Sequence, residues 1–445
     1  MIRRLVLFGA SGDLAGRYLL PALAALQARD QLPQRFRVTG AAIEPWDDAA
    51  FQEHAAAKLE RHAADVPGQA RRQLLDSLAY RQVDSTDAAE VAAVGLGESE
   101  REPEAVATYL ALPPGMFPDA VKALGRAGLP PGSRIAVEKP FGEDLESARE
   151  LNRLLERAVG PAGERAIFRV DHVLGMATTR RLLELRLTHP GLDRLWNARS
   201  VEAIHLLWEE TLALEGRAGY FDRAGTLKDV VQNHLMQLLG LVAMERPPGG
   251  GERELRDRKV AALRSIRSLR RGELRTRTRR GRYEAGAIDG RQIPAYAGEE
   301  GVDPGRETET FAELELELES ERWRGTDFVL RAGKALARRR KGVLARFRAG
   351  AELWIGIDGP DDIRLELRYP SSEAGLQSLA LSAPPPQSEL PAYGRVLLEL
   401  LDGGSTLAVR GDEAEEAWKV VMPVLEGWSA GEVPLLSYPA GSDGP

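Results

Sequence analysis

Apolar residues arrive in short runs separated by glycine turns early in the chain, and in alternation with polar residues late in it. Arg4 to Phe8, Phe36 to Ile43, Val106 to Leu112, Arg134 to Val137 and the run ending in FRVDHVLG (Phe168 to Gly175) read as buried strands. Between the first two, Leu14 to Leu26 repeats apolar positions at helical spacing, and the Ala-, Arg- and Leu-rich stretch from about Ala49 to Arg81 predicts helix. Strand alternating with helix predicts a parallel, doubly wound sheet.

After Gly175 the pattern changes. Thr178 to Leu187 predicts a helix, Val201 to Glu210 a strand, and Asp229 to Met244 a helix on which Asp229 and His234 lie five residues apart, on neighbouring rather than identical faces. Phe311 to Leu318 alternates strictly, with Glu313, Glu315 and Glu317 on the polar face. With Glu352 to Ile357 and Ile363 to Tyr369 it predicts a large, mainly antiparallel sheet. The arginine-dense stretch from Arg253 to Arg282 reads as a solvated basic helix and loop, Pro384 to Pro386 as a short loop, and Gly441 to Pro445 as a disordered tail. The chain divides into two domains, over 1–170 and over 171–445.

Composition narrows the function. A chain of 445 residues, 43% hydrophobic and 29% charged, buries a sizeable core. A net charge of -7 argues against nucleic acid as a partner. There are no cysteines, so neither disulfides nor thiolate metal sites arise, and no metal is expected. MIRRLVLFGASG runs straight into a strand, without a signal-peptide pattern. The apolar stretch Leu235 to Met244 is too short to span a bilayer. These features predict a cytoplasmic protein with no membrane partner.

Two places carry chemistry. Gly9-Ala10-Ser11-Gly12 sits between a strand and a helix, where the first glycine permits a tight turn and the second lets backbone approach a pyrophosphate. Helix N-terminal N–H groups and the Ser11 hydroxyl then serve the phosphates, and Gly9, Ser11, Gly12, Asp13 and Leu14 form the expected cofactor-binding turn. The alternative is a plain strand-to-helix turn. The second strand ends in Ile43 and Glu44, where such folds recognise the adenosine ribose. The other place is Asp171 and His172, with a further motif histidine at His234. A histidine titrates near neutral pH and a carboxylate beside it fixes its tautomer, so Asp171 and His234 are a candidate acid-base pair and His172 a substrate ligand. Structural histidines are the alternative. Lys139 ends a strand, where ligands of open α/β sheets bind; a solvated lysine is the alternative there.

Eight motifs, FGASGDLA, EKPFG, FRVDHVLG, EGRAGYFD, DVVQNHLMQLLGLVAME, GVDPGRETETF, LRAGKAL and DEAEEAWKVVMPVLEGW, occur in an order that resembles glucose-6-phosphate dehydrogenases from Leu5 to about Pro439. The resemblance implies a Rossmann-like domain, then a β+α domain whose sheet mediates assembly into a homodimer or homotetramer. It implies oxidation of a hexose at C1 to a lactone with NADP or NAD. By the same resemblance His234 is the catalytic base with Asp171 its partner, and Lys139, before a cis proline, contacts substrate and cofactor. Glu210 and Asp229 are implied as sugar-hydroxyl ligands, Lys334 as a further substrate contact, and His172 as a phosphate ligand.

Three departures stand out. The family's RIDHYLGKE has Val173, Met176 and Ala177 in place of Tyr, Lys and Glu; Tyr18 stands where a lysine is usual; Ile43 and Glu44 replace the Arg and small hydroxyl residue that hold the NADP 2′-phosphate. A carboxylate repels that phosphate but accepts from a free ribose hydroxyl, so NAD is the expected cofactor. Arg180 lies four residues after Met176 and either reaches back to supply the missing cation or is a solvated helix residue. Three functions follow: a glucose-6-phosphate dehydrogenase with a rearranged phosphate pocket, an NAD-dependent aldose dehydrogenase for an unphosphorylated or differently substituted sugar, or a catalytically silent binding homologue.

Overall fold

The N-terminal apolar runs become parallel strands β1 (Arg4–Phe8), β2 (Arg37–Ala42), β4 (Val106–Leu110), β5 (Arg134–Glu138) and β6 (Ile167–Val170) of a computed structural model. That structure describes residues 1–95, 104–216, 218–249, 251–357, 363–371, 375–383 and 390–445. One further strand, β3 (Leu78–Gln82), falls inside the stretch predicted as helix, which otherwise forms helices Asp48–His62 and Gly68–Asp76. The reason is its place. β3 is an edge strand paired only with β2, its last two residues are exposed, and five residues with such a pattern carry little strand periodicity.

The sheet order is β6-β5-β4-β1-β2-β3, so the strand order reverses beside β1 and opens a crevice at the carboxyl ends, where this fold class binds ligands. β4, β5 and β6 are buried throughout, as strands covered on both faces must be. A late return of the chain completes this first unit, Met1–Gly175 with Ser388–Ala414. Ala408–Val409 adds an antiparallel strand to β6, and helix Ala392–Asp402 seats Val396, Leu397, Leu400 and Leu401 in the same apolar cluster as Leu5, Leu7 and Leu23. Ile2 N donates to Leu401 O at 2.7 Å, and Arg134 Nη1 donates to Glu399 O and Leu400 O at 3.1 and 3.0 Å.

The second unit, Met176–Gln387 with Glu415–Pro445, is built on a nine-stranded sheet. Its order is Gly375–Ala383, Ile363–Ser371, Ala351–Gly356, Arg340–Phe347, β7 (Val201–Glu209), Asp327–Gly333, Phe311–Leu316, β8 (Thr278–Glu284) and Leu435–Pro439. Only the β7 pairing with Asp327–Gly333 and the β8 pairing with Leu435–Pro439 are parallel, so the mainly antiparallel expectation holds. Ala312, Leu314 and Leu316 are buried on one face, while Phe311 is buried on the other, which it shares with Glu313; Glu313 meets Arg331 at 3.4 Å and Arg279 at 3.5 Å.

Two sequence expectations are corrected here. The arginine-dense stretch does begin in a helix, Glu252–Arg264, but ends in β8, where Arg280 is buried and donates to Val433 O at 2.9 Å. Carboxylates neutralise its neighbours: Arg264 meets Glu416 at 3.0 Å, and Arg267 meets Glu273 at 2.9 Å and Glu317 at 3.0 Å. The tail is ordered rather than free. Tyr438 is buried with its hydroxyl 2.8 Å from Lys334 O, Ala337 N donates to Ser442 O at 2.8 Å, and Arg338 pairs with Asp443 at 3.1 Å. The loop at Pro384 to Pro386 lies outside the described residues. Among those described, no helix is long and apolar enough to cross a membrane.

Candidate active site

In the first unit the chain leaves β1 through Gly9, at φ +75°, and a Cβ there would lie 2.3 Å from Ala111 O. Only glycine fits that turn. Gly12 N donates to Gly9 O at 3.0 Å and Gly16 N to Gly12 O at 3.1 Å, which starts the helix beyond. Ser11 and Leu14 are half-buried, and Asp13 is exposed and pairs with Arg17 at 3.3 Å. The turn at the carboxyl end of β1, with a helix N-terminus facing it, fits the pyrophosphate of a dinucleotide. At the end of β2, Gln82 Nε2 holds Ile43 O at 3.1 Å and the Tyr80 hydroxyl holds Glu44 O at 2.9 Å. The Ile43 side chain is exposed. Glu44 Oε2 is a buried acceptor without a hydrogen-bond donor among the described residues, which suits a ribose hydroxyl.

Asp171 follows β6 directly and is fully buried; its Oδ1 accepts the Val173 N–H at 3.1 Å. His172 is half-buried and stacks on Tyr393, with centroids 5.7 Å apart and planes inclined by 18°. Tyr18, where a lysine was expected, lies 5.4 Å from the same Tyr393 ring. Lys139 follows β5 directly, and the Lys139-Pro140 bond is cis. The residue before it, Glu138, is buried and accepts from the Tyr109 hydroxyl and from Tyr393. Burial pushes the Glu138 carboxyl up to about 7, against the pull of the Tyr109 hydroxyl and of Lys139.

In the second unit His234 and Asp229 lie on a π-helical segment, Leu227–Leu235, which continues as α-helix Met236–Ala243. This changes their relation. In an α-helix five residues place side chains about 140° apart, on different faces. Winding with i→i+5 bonds brings residue i+5 over residue i, and such segments are frequent at functional sites. Asp229 and His234 therefore share a face, where the sequence predicted neighbouring ones. His234 is buried and stacks on Trp208 of β7. The far end of this helix is held by buried side chains. Arg186 donates to Leu241 O and Met244 O at 2.6 Å each, Trp196 Nε1 to Val242 O at 2.8 Å, and Trp323 Nε1 to Ala243 O at 2.7 Å. These donors satisfy carbonyls that a helix end leaves open.

Glu210, just after β7, accepts from Lys334 and Lys341, both at 2.8 Å. Burial alone would raise the Glu210 carboxyl; the two lysines overcome it and hold it at about 2. Lys341 also lies 4.5 Å from the Trp208 ring, which ties this ion triad to the His234 stack. Arg180 is exposed, and its Nε meets Glu184 at 2.8 Å one turn further along the helix instead of turning back over Met176. Val173 is fully buried, and Met176 is half-buried.

Several of these residues escaped the sequence reading. Glu138 stood inside EKPFG, and its place at a strand end was the available signal. Lys341 and Trp208 gave none, since a lysine in RRRKG and a tryptophan in a strand are ordinary until the fold pairs them.

The family model described as glucose-6-phosphate dehydrogenase, NAD binding domain, matches residues 6–180, and that described as its C-terminal domain matches 183–445. The chain is similar to the glucose-6-phosphate 1-dehydrogenase of Treponema pallidum (strain Nichols), 34% identical over 99% of this chain and 92% of the relative. It is also similar to the solved glucose-6-phosphate 1-dehydrogenase of Mycobacterium avium, with TM-score 0.85 and 32% identity over 100% of this chain and 96% of that one. A solved glucose-6-phosphate dehydrogenase in complex with its substrate glucose-6-phosphate superposes with TM-score 0.89 at 28% identity, covering 100% and 96%.

Proposed function

The chain belongs to the glucose-6-phosphate dehydrogenase family, and on that premise we propose how its residues divide the reaction. It is a glucose-6-phosphate dehydrogenase-like oxidoreductase: the C1 hemiacetal of a hexose becomes a lactone. A nicotinamide dinucleotide bound at the glycine turn supplies the hydride acceptor. The substrate we assign is glucose 6-phosphate or a close relative, which the likeness to the substrate-bound structure supports.

Hydride leaves C1 more readily as the O1 proton departs, so a base must meet O1–H. We assign that proton to His234, with Asp171 as the carboxylate that orients the imidazole. Asp229 and Glu210 take sugar hydroxyls, Lys334 and Lys139 add donors, and His172 takes the phosphate. The observation that carries this reading is the π-helical segment, which puts Asp229 and the buried His234 on one face, with the Glu210–Lys334–Lys341 triad joined to His234 through Trp208. Gly9, Ser11, Gly12, Asp13 and Leu14 hold the pyrophosphate, and Glu44 the ribose of NAD. Residues to about 170 serve the cofactor, with Lys139 serving the sugar as well, and residues from 171 serve the sugar, apart from Ser388–Ala414, which belongs to the first unit.

A second reading has a specific observation behind it. Val173 is buried, Met176 brings no charge, and the Arg180 guanidinium is engaged with Glu184. An NAD-dependent dehydrogenase of an unphosphorylated aldose would need no cation there. Turnover on glucose 6-phosphate, glucose and other hexoses, each with NAD and NADP, separates the two. Failure to reduce either cofactor with any hexose would sink both.

A cytoplasmic location and a homodimer or homotetramer belong to the same reading. Support for assembly comes from the sheet's outer strands, where Leu379 pairs with Leu367 and Leu381 with Leu365, and Leu379 and Leu381 are about half exposed.

A further inference from the structure

The helix that carries Asp229 and His234 starts abruptly. Helix Ala218–Thr226 breaks at Gly225, whose φ is +67° and ψ 175°. The next two backbone N–H groups both go to one residue. Thr226 N donates to Glu309 O at 3.1 Å, and Leu227 N donates to Glu309 Oε1 at 2.9 Å. A Cβ on Gly225 would lie 2.3 Å from Oε1 and 2.7 Å from Oε2 of the same carboxyl group. The glycine thus permits both the break and the approach of the carboxyl group. A helix start leaves N–H groups without internal partners and presents the positive end of its dipole, so an acidic acceptor is well placed there.

We propose that Glu309 is a positioning residue of this enzyme: it fixes the first turn of the segment Leu227–Leu235, and with it the shared direction of Asp229 and His234. The proposal rests on the reading of His234 as the base. Its physical core is the winding. With the far end of the helix held by Arg186, Trp196 and Trp323, a slip at the start has to be absorbed between the two clamps, where the site residues lie. Relaxing that stretch to α geometry would swing His234 about 140° away from the face of Asp229. Burial pushes the Glu309 carboxyl up to about 7, so a neutral amide is tolerable in the same place.

The test compares Glu309→Ala, Glu309→Gln, Gly225→Ala and the double variant Gly225→Ala/Glu309→Ala in the full chain. Glu309→Ala should lower kcat with the sugar by about a hundredfold and leave KM for the nicotinamide cofactor within about twofold, as expected for a misplaced catalytic group. Glu309→Gln, which keeps the acceptor, should recover to within a few-fold of the wild type. Gly225→Ala should be impaired at least as much as Glu309→Ala, because its Cβ meets the carboxyl group and its φ of +67° strains any side chain, and the double variant should lose the clash but keep that strain. A Glu309→Ala protein with wild-type kcat, or one that Glu309→Gln does not improve upon, overturns the proposal.

A second readout needs no turnover. The ring resonances of His234, assigned by their loss in His234→Asn, should move in Glu309→Ala and stay in Glu309→Gln. Unmoved resonances in Glu309→Ala overturn the proposal even if the wild type acts on some other sugar. An inactive wild type would defeat the assigned reaction and leave this readout to decide.

Discussion

Trp208 and His234 stack with ring centroids 4.9 Å apart and planes inclined by 26°, so the imidazole lies against an indole fixed in a central strand. His234→Asn should keep the fold and lower kcat by about two to four orders of magnitude, the usual range for a general base. Asp171→Asn should lower kcat less, through loss of orientation. Trp208→Leu should cost about tenfold in kcat by loosening the ring. Steady-state kinetics on folded variants checks all three, and near wild-type turnover in His234→Asn would remove the mechanism.

The end of β2 predicts cofactor choice. Ile43 offers no charge and Glu44 offers an acceptor, so kcat/KM with NAD should exceed that with NADP. Ile43→Arg with Glu44→Ser should reverse the preference, since a guanidinium binds a 2′-phosphate with two hydrogen bonds. A wild type that prefers NADP would refute the role given to Glu44.

The first of these sites was legible from the sequence because its requirements are local. A strand, a positive-φ glycine and a helix start follow each other in Phe8 to Leu26, and local order is what a sequence displays. The π-helical winding was not legible. The pattern DVVQNHL reads as an ordinary helix, and the wider i→i+5 winding follows a start that Gly225 and Glu309, a residue distant in the chain, hold in place. β3 was hidden for another reason: Leu78 and Tyr80 are its only well-buried positions. The ordered tail was hidden because its anchor, Tyr438, finds its partners Thr310 and Lys334 only in the folded sheet.

At the far end of the sugar, Arg180→Ala should change activity on glucose 6-phosphate and on free glucose equally and slightly, because its guanidinium is engaged with Glu184 at an exposed position. Met176→Lys should instead raise kcat/KM for the phosphorylated sugar alone. Selective loss with glucose 6-phosphate in Arg180→Ala would return Arg180 to the site.

Acid should weaken the fold in two windows. Burial, with Arg346, Arg331 and Arg340 nearby, lowers the His205 imidazole to about 4. Its neutral form is favoured in the fold, so its contribution is complete above pH 6.5 and lost as pH falls towards 4. Glu210, held at about 2, contributes fully above 4.5, and loses roughly 3 kcal/mol at most as pH falls through 2. Glu138 and Glu309, raised to about 7, act oppositely and add stability as pH drops from 7 towards 4.5. Single variants isolate the signs: His205→Gln should reduce the fall in Tm between pH 6.5 and 4. An unchanged fall would show that His205 titrates alike in both states.

Assembly through the second unit should give a mass of twice or four times the monomer by light scattering at micromolar concentration. Leu381→Glu, on the exposed leucine ladder, should shift it towards the monomer. A monomeric wild type would count against the assignment.

The return of the chain through Ser388–Ala414 sets an order of events during synthesis. The unit that leaves the ribosome first has to wait for its completion, because Ala408–Val409 and helix Ala392–Asp402 are translated after most of the other unit. Until then β6 keeps an unpaired edge, an invitation to mispairing that nascent chains must survive, and Leu5, Leu7 and Leu23 lack the cover of Val396 and Leu397. A dinucleotide-binding fragment cut at Gly175 would inherit that unfinished edge permanently. A circular permutant opening near Ser388, with the old termini joined, would instead deliver Ser388–Ala414 before Met1–Gly175, so that the partner of β6 is already made when β6 emerges.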